Sequence, residues 1–444
     1  MKDRLFEIWF ALRCGPQNRE FQALLEACGS PYDIYHAEEA ELESLPCSKN
    51  LKLRLADKSL EEATRVMEYC RRNRVGLLFW QDENYPVSLR PLRDPPVLLY
   101  YQGTLPDFSR RLCISVVGTR SMSEYGKRMA YKIGYELASA GTVVVSGMAL
   151  GNDSVAAAGA LAAGGQTVAV LGCGIDMVYP HEHEPLAARI KRNGCVMTEF
   201  SPATPPESRN FPIRNRIISG LSQGTVVVEG DQRSGAMITA RAAILQGRAI
   251  YAFPGNVGET NSAGTNQLIA GGAAMILSAS DVLEDYSFLY RDVLDMAKLR
   301  RAELHSDPDD AFLAELGVAV RTVKPRARQG SKNEEDAKAP ARSSCPPAPK
   351  TAPSRTAEKK DKGSSEKAPA SDSTPAKGDL SEQVLKHLTD SQRRIFELLP
   401  LDHAVTVDYL TREGFSVGEV MAAMTILEIK GLTVTLPGGL YSRK

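Results

Sequence analysis

The clearest pattern along the chain is a series of short, continuous apolar runs in its middle third. These runs do not alternate with polar positions, which is typical of strands that are covered on both faces. They occupy residues 112–117, 142–145, 167–171, 225–228 and 249–253. Alanine-rich stretches with helical spacing lie between them, at residues 125–140, 154–163, 186–191 and 236–246. This alternation predicts an α/β domain over residues 106–290, built on a doubly wound parallel sheet.

Residues 1–105 show a different pattern, with apolar positions that recur mostly at helical spacing. We therefore expect a helical N-terminal domain. Within it, residues 40–47 are compatible with half of a helix–hairpin–helix that contacts DNA, or with short helices in a small bundle. A helical extension is expected over residues 291–323.

Residues 324–379 lack Ile, Leu, Val, Met and aromatic residues and carry 13 basic against 8 acidic side chains. Such a segment cannot bury enough apolar surface to offset its ordering entropy, so we predict a disordered linker. Residues 380–444 have the pattern of a helix with an apolar face, a turn at Gly431, and a strand–turn–strand wing. This pattern predicts a C-terminal winged helix.

The net charge and the cysteine content bear on two questions, whether the protein binds nucleic acid and where in the cell it acts. The 444 residues hold 54 basic and 54 acidic side chains, so net charge gives no reason to infer nucleic-acid binding. The eight cysteines form no CxxC pair, which favours reduced thiols and a cytoplasmic location. The sequence has no signal-peptide pattern and no apolar stretch of about 18 residues, so no membrane partner is expected.

Glycine and small polar residues follow most of the predicted strands. Gly118 and Thr119 follow the first strand, and Ser146 and Gly147 follow the second. Turns of this kind expose backbone N–H groups at one edge of a parallel sheet, so we expect them to cradle phosphate. Neither a GxGxxG fingerprint nor a P-loop is present, which excludes a standard dinucleotide or P-loop site.

Residues 208–216 combine three arginines with a phenylalanine. Arg214 and Arg216 could clamp successive phosphates, and Phe211 could stack on an unpaired base. Alternatively, Phe211 packs inward and the arginines pair with Glu207 or Glu229. Arg120, at the tip of the first strand, would extend the basic surface and favours DNA.

Candidate catalytic and metal-binding residues are few. His181 and His183 form an HxH pair, but no third ligand is indicated, so we expect no metal site. Asp153 and Glu229 stand at strand ends, where each could act as an acid or base, cap a helix or pair with an arginine.

Taken in order, the motifs resemble the DNA-processing protein A (DprA, or Smf) family. The resemblance covers residues 110–285 and rests on VVGTR at 116–120, SGMALG at 146–151, VAVLGCGIDMVYP at 168–180, FPIRNRIISGLS at 211–222, VVVEGDQRSGAMITARAA at 226–243, FPG at 253–255 and GTNQLIAGGA at 264–273. It implies an extended Rossmann-like core, preceded by a sterile-alpha-motif-like domain and followed by a winged helix.

The resemblance further implies a recombination mediator that is not an enzyme and needs no cofactor. Such a homodimeric protein binds incoming single-stranded DNA, protects it, and loads RecA during natural transformation. The residues expected to contact DNA are Arg120, Arg209, Phe211, Arg214, Asn215, Arg216, Ser234 and Gly235.

The sequence departs from the family pattern after the second strand, where Leu150, Asn152 and Ala157 replace the usual Arg, Ile and His. Losing two polar groups there weakens the case for a mononucleotide pocket. The alternative function is a nucleotide-binding or nucleotide-hydrolysing Rossmann-like enzyme, with Glu229 as its candidate carboxylate. A third possibility, a duplex reader in the tail, is disfavoured by 7 basic against 8 acidic residues. We expect the tail to be a docking or regulatory module.

Overall fold

The computed structural model describes residues 2–318, 389–400, 405–412, 414–429, 432–436 and 440–443. The chain divides into two compact units, Met1–Lys324 and Pro325–Lys444. The predicted linker at 324–379 lies outside the described residues.

The N-terminal part of the first unit is helical, as the apolar spacing predicts. Its buried core includes Trp9, Phe10, Phe21 and Ile34. Its helices are α1 (Lys2–Cys14), α2 (Phe21–Cys28), α3 (Pro31–His36), α4 (Glu39–Ser44), α5 (Lys49–Ala56) and α6 (Glu61–Arg72).

The range assigned to the helical domain also contains two strands, β1 (Gly76–Phe79) and β2 (Leu98–Gly103), with a 3₁₀ turn at Val87–Leu89 between them. They pair antiparallel with each other, and β2 pairs antiparallel with a strand of the central sheet. The sheet therefore begins inside residues 1–105. Neither strand was predicted, because apolar positions in this range recur mostly at helical spacing, and the strands are defined by pairing with each other and with the central sheet.

The central sheet confirms the doubly wound α/β prediction. Its remaining strands are β3 (Cys113–Val117), β4 (Val143–Ser146), β5 (Thr167–Val170), β6 (Cys195–Thr198), β7 (Gly224–Val227), β8 (Ala249–Ala252) and β9 (Ala274–Met275). The nine strands lie in the order β1-β2-β6-β5-β4-β3-β7-β8-β9, and β3 to β9 run parallel. Two of them, β6 and β9, were not predicted.

Seven helices cover the sheet or follow its strands, and the first, second, third and fifth of them match the four alanine-rich stretches. They are α7 (Glu124–Ser139), α8 (Asn152–Ala162), α9 (Glu184–Asn193), α10 (Asn210–Leu221), α11 (Gly235–Leu245), α12 (Thr260–Ala270) and α13 (Ala279–Leu283), with 3₁₀ turns at His181–His183 and Glu284–Tyr286. The strand order reverses between β3 and β7. In open α/β sheets, ligands bind beyond the carboxyl ends of the strands at such a point.

Two short helices, α14 (Met296–Ala302) and α15 (Asp310–Glu315), follow the sheet. They lie within the predicted extension at 291–323. Among the described residues, no helix is both long enough and apolar enough to cross a membrane.

The second unit has the helices and three-stranded sheet of a winged helix, as predicted. Its buried core includes Ile395, Leu410 and Leu427. Its elements are α16 (Asp390–Leu398), β10 (Val405–Thr406), α17 (Val407–Arg412), α18 (Val417–Ile429), β11 (Thr433–Leu436) and β12 (Leu440–Arg443). The antiparallel pair β11–β12 forms the wing.

Helices α7 and α8 approach each other closely because each presents a glycine to the other. A Cβ atom on Gly134 would lie 2.1 Å from the Ala156 carbonyl oxygen, and one on Gly159 would lie 2.3 Å from that of Tyr131. No side chain can be added at either position unless the helices separate.

We therefore expect Gly134→Ala to lower the free energy of unfolding by about 1–3 kcal/mol, the usual cost of overpacking. Denaturant unfolding followed by circular dichroism measures this change. Gly235→Ala is the control, since its Cβ would meet nothing within 4 Å. Equal stability of the two variants would contradict the packing argument.

Candidate nucleic-acid interface

A crevice of about 460 Å³ opens beyond the carboxyl ends of β3 and β7. One wall of the crevice is the turn after β3, with Gly118, Thr119 and Arg120. Several side chains of α10 and the start of α11 form the other walls. The site therefore lies where the strand order reverses, as the fold predicts.

Asp153, at the start of α8, holds the two glycine turns of the crevice in place. Its carboxylate accepts hydrogen bonds from the Gly118 N–H (3.2 Å) and the Gly147 N–H (3.0 Å). Burial raises the pKa of Asp153, while Arg214 and the two amides oppose that rise. Asp153 thus acts as a structural acceptor that joins the ends of β3 and β4.

This contact changes the interpretation of the predicted phosphate-cradling turns. The Gly118 and Gly147 amides donate to Asp153, and the Thr119 amide donates to the Glu229 carbonyl oxygen at 2.9 Å. The Ser146 hydroxyl accepts from the Met148 N–H at 3.3 Å. Because these groups already have partners within the protein, their placement argues against a phosphate cradle in this conformation.

Helix α10 divides the predicted DNA-contacting residues between two faces. Residues three or four apart share a helix face, whereas residues two apart do not. Phe211, Arg214, Asn215 and Ile218 accordingly line the crevice together. Arg216, two residues from Arg214, is not among the described residues that line it.

Arg214 lines the crevice but is only 4% exposed. Its guanidinium donates to the carbonyl oxygens of Gly147 (2.8 Å) and Val170, and to Asn215 Oδ1 (3.2 Å). Burial lowers its pKa to about 10. The arginine joins the ends of β4 and β5 to α10, so it differs from the expected exposed phosphate clamp.

Arg216 forms a buried ion pair. Its Nη2 lies 2.7 Å from both carboxylate oxygens of Glu199, and its Nε lies 3.5 Å from Asp94 Oδ1. Arg216 and Glu199 expose 6% and 4% of their side chains. These contacts argue against direct phosphate binding by Arg216, because such binding would break the buried pair.

Arg120 and Phe211 form the exposed part of the crevice. The Arg120 guanidinium lies 5.3 Å from the Phe211 ring centroid, and the Tyr179 ring lies 5.5 Å from the same ring. Arg120 is exposed and Phe211 is half-buried. A free cation beside a partly accessible aromatic face can bind a phosphate and stack on a base.

The start of α11 adds polar groups to the opposite wall. Ser234 and Gly235 line the crevice, and the Ser234 hydroxyl has no hydrogen-bond partner among the described residues. The first N–H groups of a helix favour an anion. Arg209, in contrast, lies outside the described crevice lining and forms an exposed ion pair with Glu207 at 2.5 Å. That pair is one of the two alternatives that the sequence left open for the arginines.

Glu229 is not among the described residues that line the crevice, and its carboxylate already has hydrogen-bond donors elsewhere in the protein. Its carboxylate accepts from the Ser123 N–H (3.0 Å) and the Ser123 hydroxyl, at the start of α7. Burial raises its pKa. These contacts give Glu229 a structural role at the start of α7.

The three residues that depart from the family pattern, Leu150, Asn152 and Ala157, lie in different surroundings. Leu150 lines a small cavity beside Phe211 and Arg214. The Asn152 amide donates to the Gly126 carbonyl oxygen at 3.0 Å, and Ala157 is fully buried. The replacement at Leu150 is therefore the one that changes the wall of a cavity at the site.

The HxH pair binds protein groups. His181 Nδ1 lies 3.0 Å from Glu184 Oε1, and His183 Nδ1 lies 2.9 Å from the Met148 carbonyl oxygen. No group of three His, Cys, Asp or Glu side chains among the described residues could hold a metal ion.

Sequence reasoning missed Tyr179 and Ser208, both of which line the crevice. Tyr179 belongs to a loop after β5, and only the fold brings that loop to Phe211. The sequence shows that Asp153 stands at a strand end, but it does not show that the Gly118 and Gly147 amides donate to its carboxylate.

Comparison with known proteins agrees with this architecture. A family model described as "DNA recombination-mediator protein A" matches residues 76–287, and one described as "DprA winged helix domain" matches residues 368–439. The chain is 37% identical over 221 residues to DNA processing protein DprA of Bacillus subtilis, covering 50% of this chain and 74% of that protein.

Two further relatives extend the comparison. Protein Smf of Synechocystis sp. is 31% identical over 366 residues, covering 82% of this chain and 79% of that protein. The X-ray structure of DNA processing protein A from Streptococcus pneumoniae is 32% identical, with a TM-score of 0.57, covering 63% of this chain and 97% of that one. The chain belongs to the DprA/Smf family of DNA recombination-mediator proteins.

The burial of Arg216 yields a test that separates stability from DNA contact. Removing one partner of a buried ion pair costs about 3–5 kcal/mol, so Arg216→Ala should strongly lower the free energy of unfolding. The remaining folded protein should bind an unstructured oligonucleotide with unchanged affinity. Denaturant unfolding and fluorescence anisotropy measure the two effects.

Arg209→Ala is the matched control, because its ion pair with Glu207 is exposed and contributes little to stability. If Arg216→Ala left stability intact and reduced DNA affinity instead, Arg216 would be a DNA ligand after all.

Proposed function

We propose that the crevice binds single-stranded DNA without sequence preference, and that the protein acts as a recombination mediator. The observation that carries this proposal is the exposed Arg120 guanidinium beside the partly accessible Phe211 ring. The cation would neutralise a backbone phosphate, and the ring would stack on an unpaired base. Ser234 and Gly235 would receive the next phosphate at the start of α11.

The buried arginine supports this interface indirectly. The Arg214 guanidinium lies 5.8 Å from the Phe211 ring centroid, on the protein side of the crevice. Because Arg214 is tied to two carbonyl oxygens, it fixes the helix that presents Phe211. We therefore assign Arg214 a positioning role within the proposed site.

Reversing the charge of Arg120 tests the interface. We expect Arg120→Glu to lower affinity for an unstructured oligonucleotide by roughly tenfold or more, because a charge-assisted contact is lost and a repulsion is added. The salt dependence of binding should also fall by about one unit of slope, as for one lost phosphate contact. Fluorescence anisotropy across a salt series measures both.

Arg128→Glu is the control, since Arg128 is exposed on α7 and lies outside the described crevice lining. Equal affinities for the Arg120→Glu and Arg128→Glu variants would overturn the proposed site.

More specifically, we propose that the protein protects incoming DNA and loads RecA during natural transformation. Family membership supports this assignment. We propose no catalytic step or cofactor and a cytoplasmic location. The occupied Glu229 carboxylate weighs against the nucleotide-hydrolase alternative.

A purified-protein assay tests the mediator role. The wild-type chain should accelerate RecA assembly on single strands coated with single-strand-binding protein, and the Arg120→Glu variant should not. An Arg120→Glu variant that stimulates as well as the wild type would separate RecA loading from the crevice.

We also propose a homodimer. The strand β9 lies at the edge of the sheet, where Met275 on the strand and Leu277 just after it are 55% and 63% exposed. An edge strand with exposed apolar side chains is suited to pairing with a second copy of the chain.

A further inference from the structure

A second cavity, of about 530 Å³, lies at the opposite edge of the sheet. Three of its lining residues, Arg111, Gly141 and Gln166, lie one or two residues before β3, β4 and β5. It shares none of its described lining residues with the crevice at the carboxyl edge. The two cavities are therefore distinct sites on one domain.

The ionisable side chains that line this second cavity are all basic, and we call it the basic cavity. Arg111, Lys298, Arg301 and His305 face it, and no carboxylate is among its described lining residues. Lys298 Nζ lies 3.5 Å from Asp295 Oδ2, and Arg111 donates to the Gly141 carbonyl oxygen at 3.4 Å. Within the described residues, the side chains of Arg301 and His305 make no ion pair or hydrogen bond. Clustered basic groups of this kind create a positive potential that attracts an anion.

The basic wall is fixed in place by the packing of α14. The Asp295 N–H donates to the Ala140 carbonyl oxygen at 3.0 Å, and the Ser306 hydroxyl donates to Glu136 Oε1 at 3.0 Å. Leu299, on the same helix, is fully buried. The cations are thus carried by a backbone that is already positioned, which lowers the ordering cost of binding.

The rest of the lining suits a phosphorylated ligand. Tyr135 is half-buried beside the cations, and its ring stacks on that of Tyr131 at 6.2 Å and 11°. Gly164 and Gly165 form a turn at the rim, and a Cβ on Gly164 would meet nothing within 4 Å. The Gly164 and Gly165 N–H groups donate to the carbonyl oxygens of Leu161 and Ala160, so the turn leaves room for phosphate groups, and the cations would hold them.

We propose that this basic cavity binds the phosphate groups of a nucleic-acid backbone or of a free nucleotide. Arg301 and Lys298 are its principal cationic groups, and Arg111 adds a third from the segment before β3. The inference does not rest on the proposed function, because the cavity has its own residues and faces the other edge of the sheet.

Calorimetric titration of the full chain with tripolyphosphate tests the site. We expect the wild type and the Arg120→Glu variant to bind alike, and Arg301→Glu to bind roughly tenfold more weakly, because a charge-assisted contact is lost. Lys298→Glu should weaken binding too. Arg300→Glu, the adjacent exposed arginine outside the described cavity lining, is the matched control and should bind as the wild type does.

Competition in the Arg120→Glu protein identifies the source of the phosphate. Displacement of tripolyphosphate by an unstructured oligonucleotide assigns a DNA backbone, and displacement by ADP alone assigns a free nucleotide. The proposal is overturned if tripolyphosphate does not bind, or if Arg301→Glu and Arg300→Glu behave alike. Failure of the crevice proposal would appear instead as equal DNA affinities of the Arg120→Glu and Arg128→Glu variants.

Discussion

The candidate interface depends on one buried carboxylate. Asp153 accepts the amides of Gly118 and Gly147, and so ties together the turns that follow β3 and β4. An ionised carboxylate is costly to bury unless hydrogen bonds and a compensating charge stabilise it, and Arg214 provides the nearby positive charge. Arg214 in turn binds the carbonyl oxygens at the ends of β4 and β5. The strand ends and α10 therefore form one polar network beneath the crevice.

This network explains why the arginines of the basic segment have different roles. Arg214 lies on the helix face that meets the sheet, where its charge is used internally. Arg216 lies on another face and pairs with Glu199, while Arg209 precedes the helix and pairs with Glu207 at the surface. Arg120 remains exposed beside Phe211. The arginines that lie close together in the sequence thus make mainly structural contacts, and the exposed cation comes from the turn after β3.

The net charge of zero is consistent with two separate basic sites. Each proposed site needs only a few cations at one position, and the acidic residues that balance them lie elsewhere in the chain. The crevice uses Arg120 at the carboxyl edge of the sheet, whereas the basic cavity uses Arg111 and α14 at the amino edge. Total charge therefore says little about binding, because electrostatic attraction to a phosphate is screened within about 10 Å at ordinary salt.

By itself, the sequence determined the parallel arrangement of the central strands, four of the helices around them, the winged helix and the resemblance to the family. These follow from local periodicity and from motifs that are contiguous along the chain. It also placed Arg120, Phe211 and Ser234 at strand and helix ends, and all three line the crevice. Strands β1, β2, β6 and β9 were not predicted. Length does not separate them from the predicted strands, because β2 has six residues and β4, β5, β7 and β8 have four each. Pairing with partners elsewhere in the chain defines them.

Only the tertiary structure decided which polar groups are free. Residues two apart on a helix point in different directions, so Arg214 and Arg216 could not act together as adjacent phosphate ligands. The sequence alone made the glycine amides at the strand ends plausible phosphate ligands. In the folded protein, the amides of Gly118 and Gly147 donate to Asp153 instead. Whether an arginine or an amide binds DNA depends on what else it already contacts, and those contacts come from parts of the chain that local patterns do not connect.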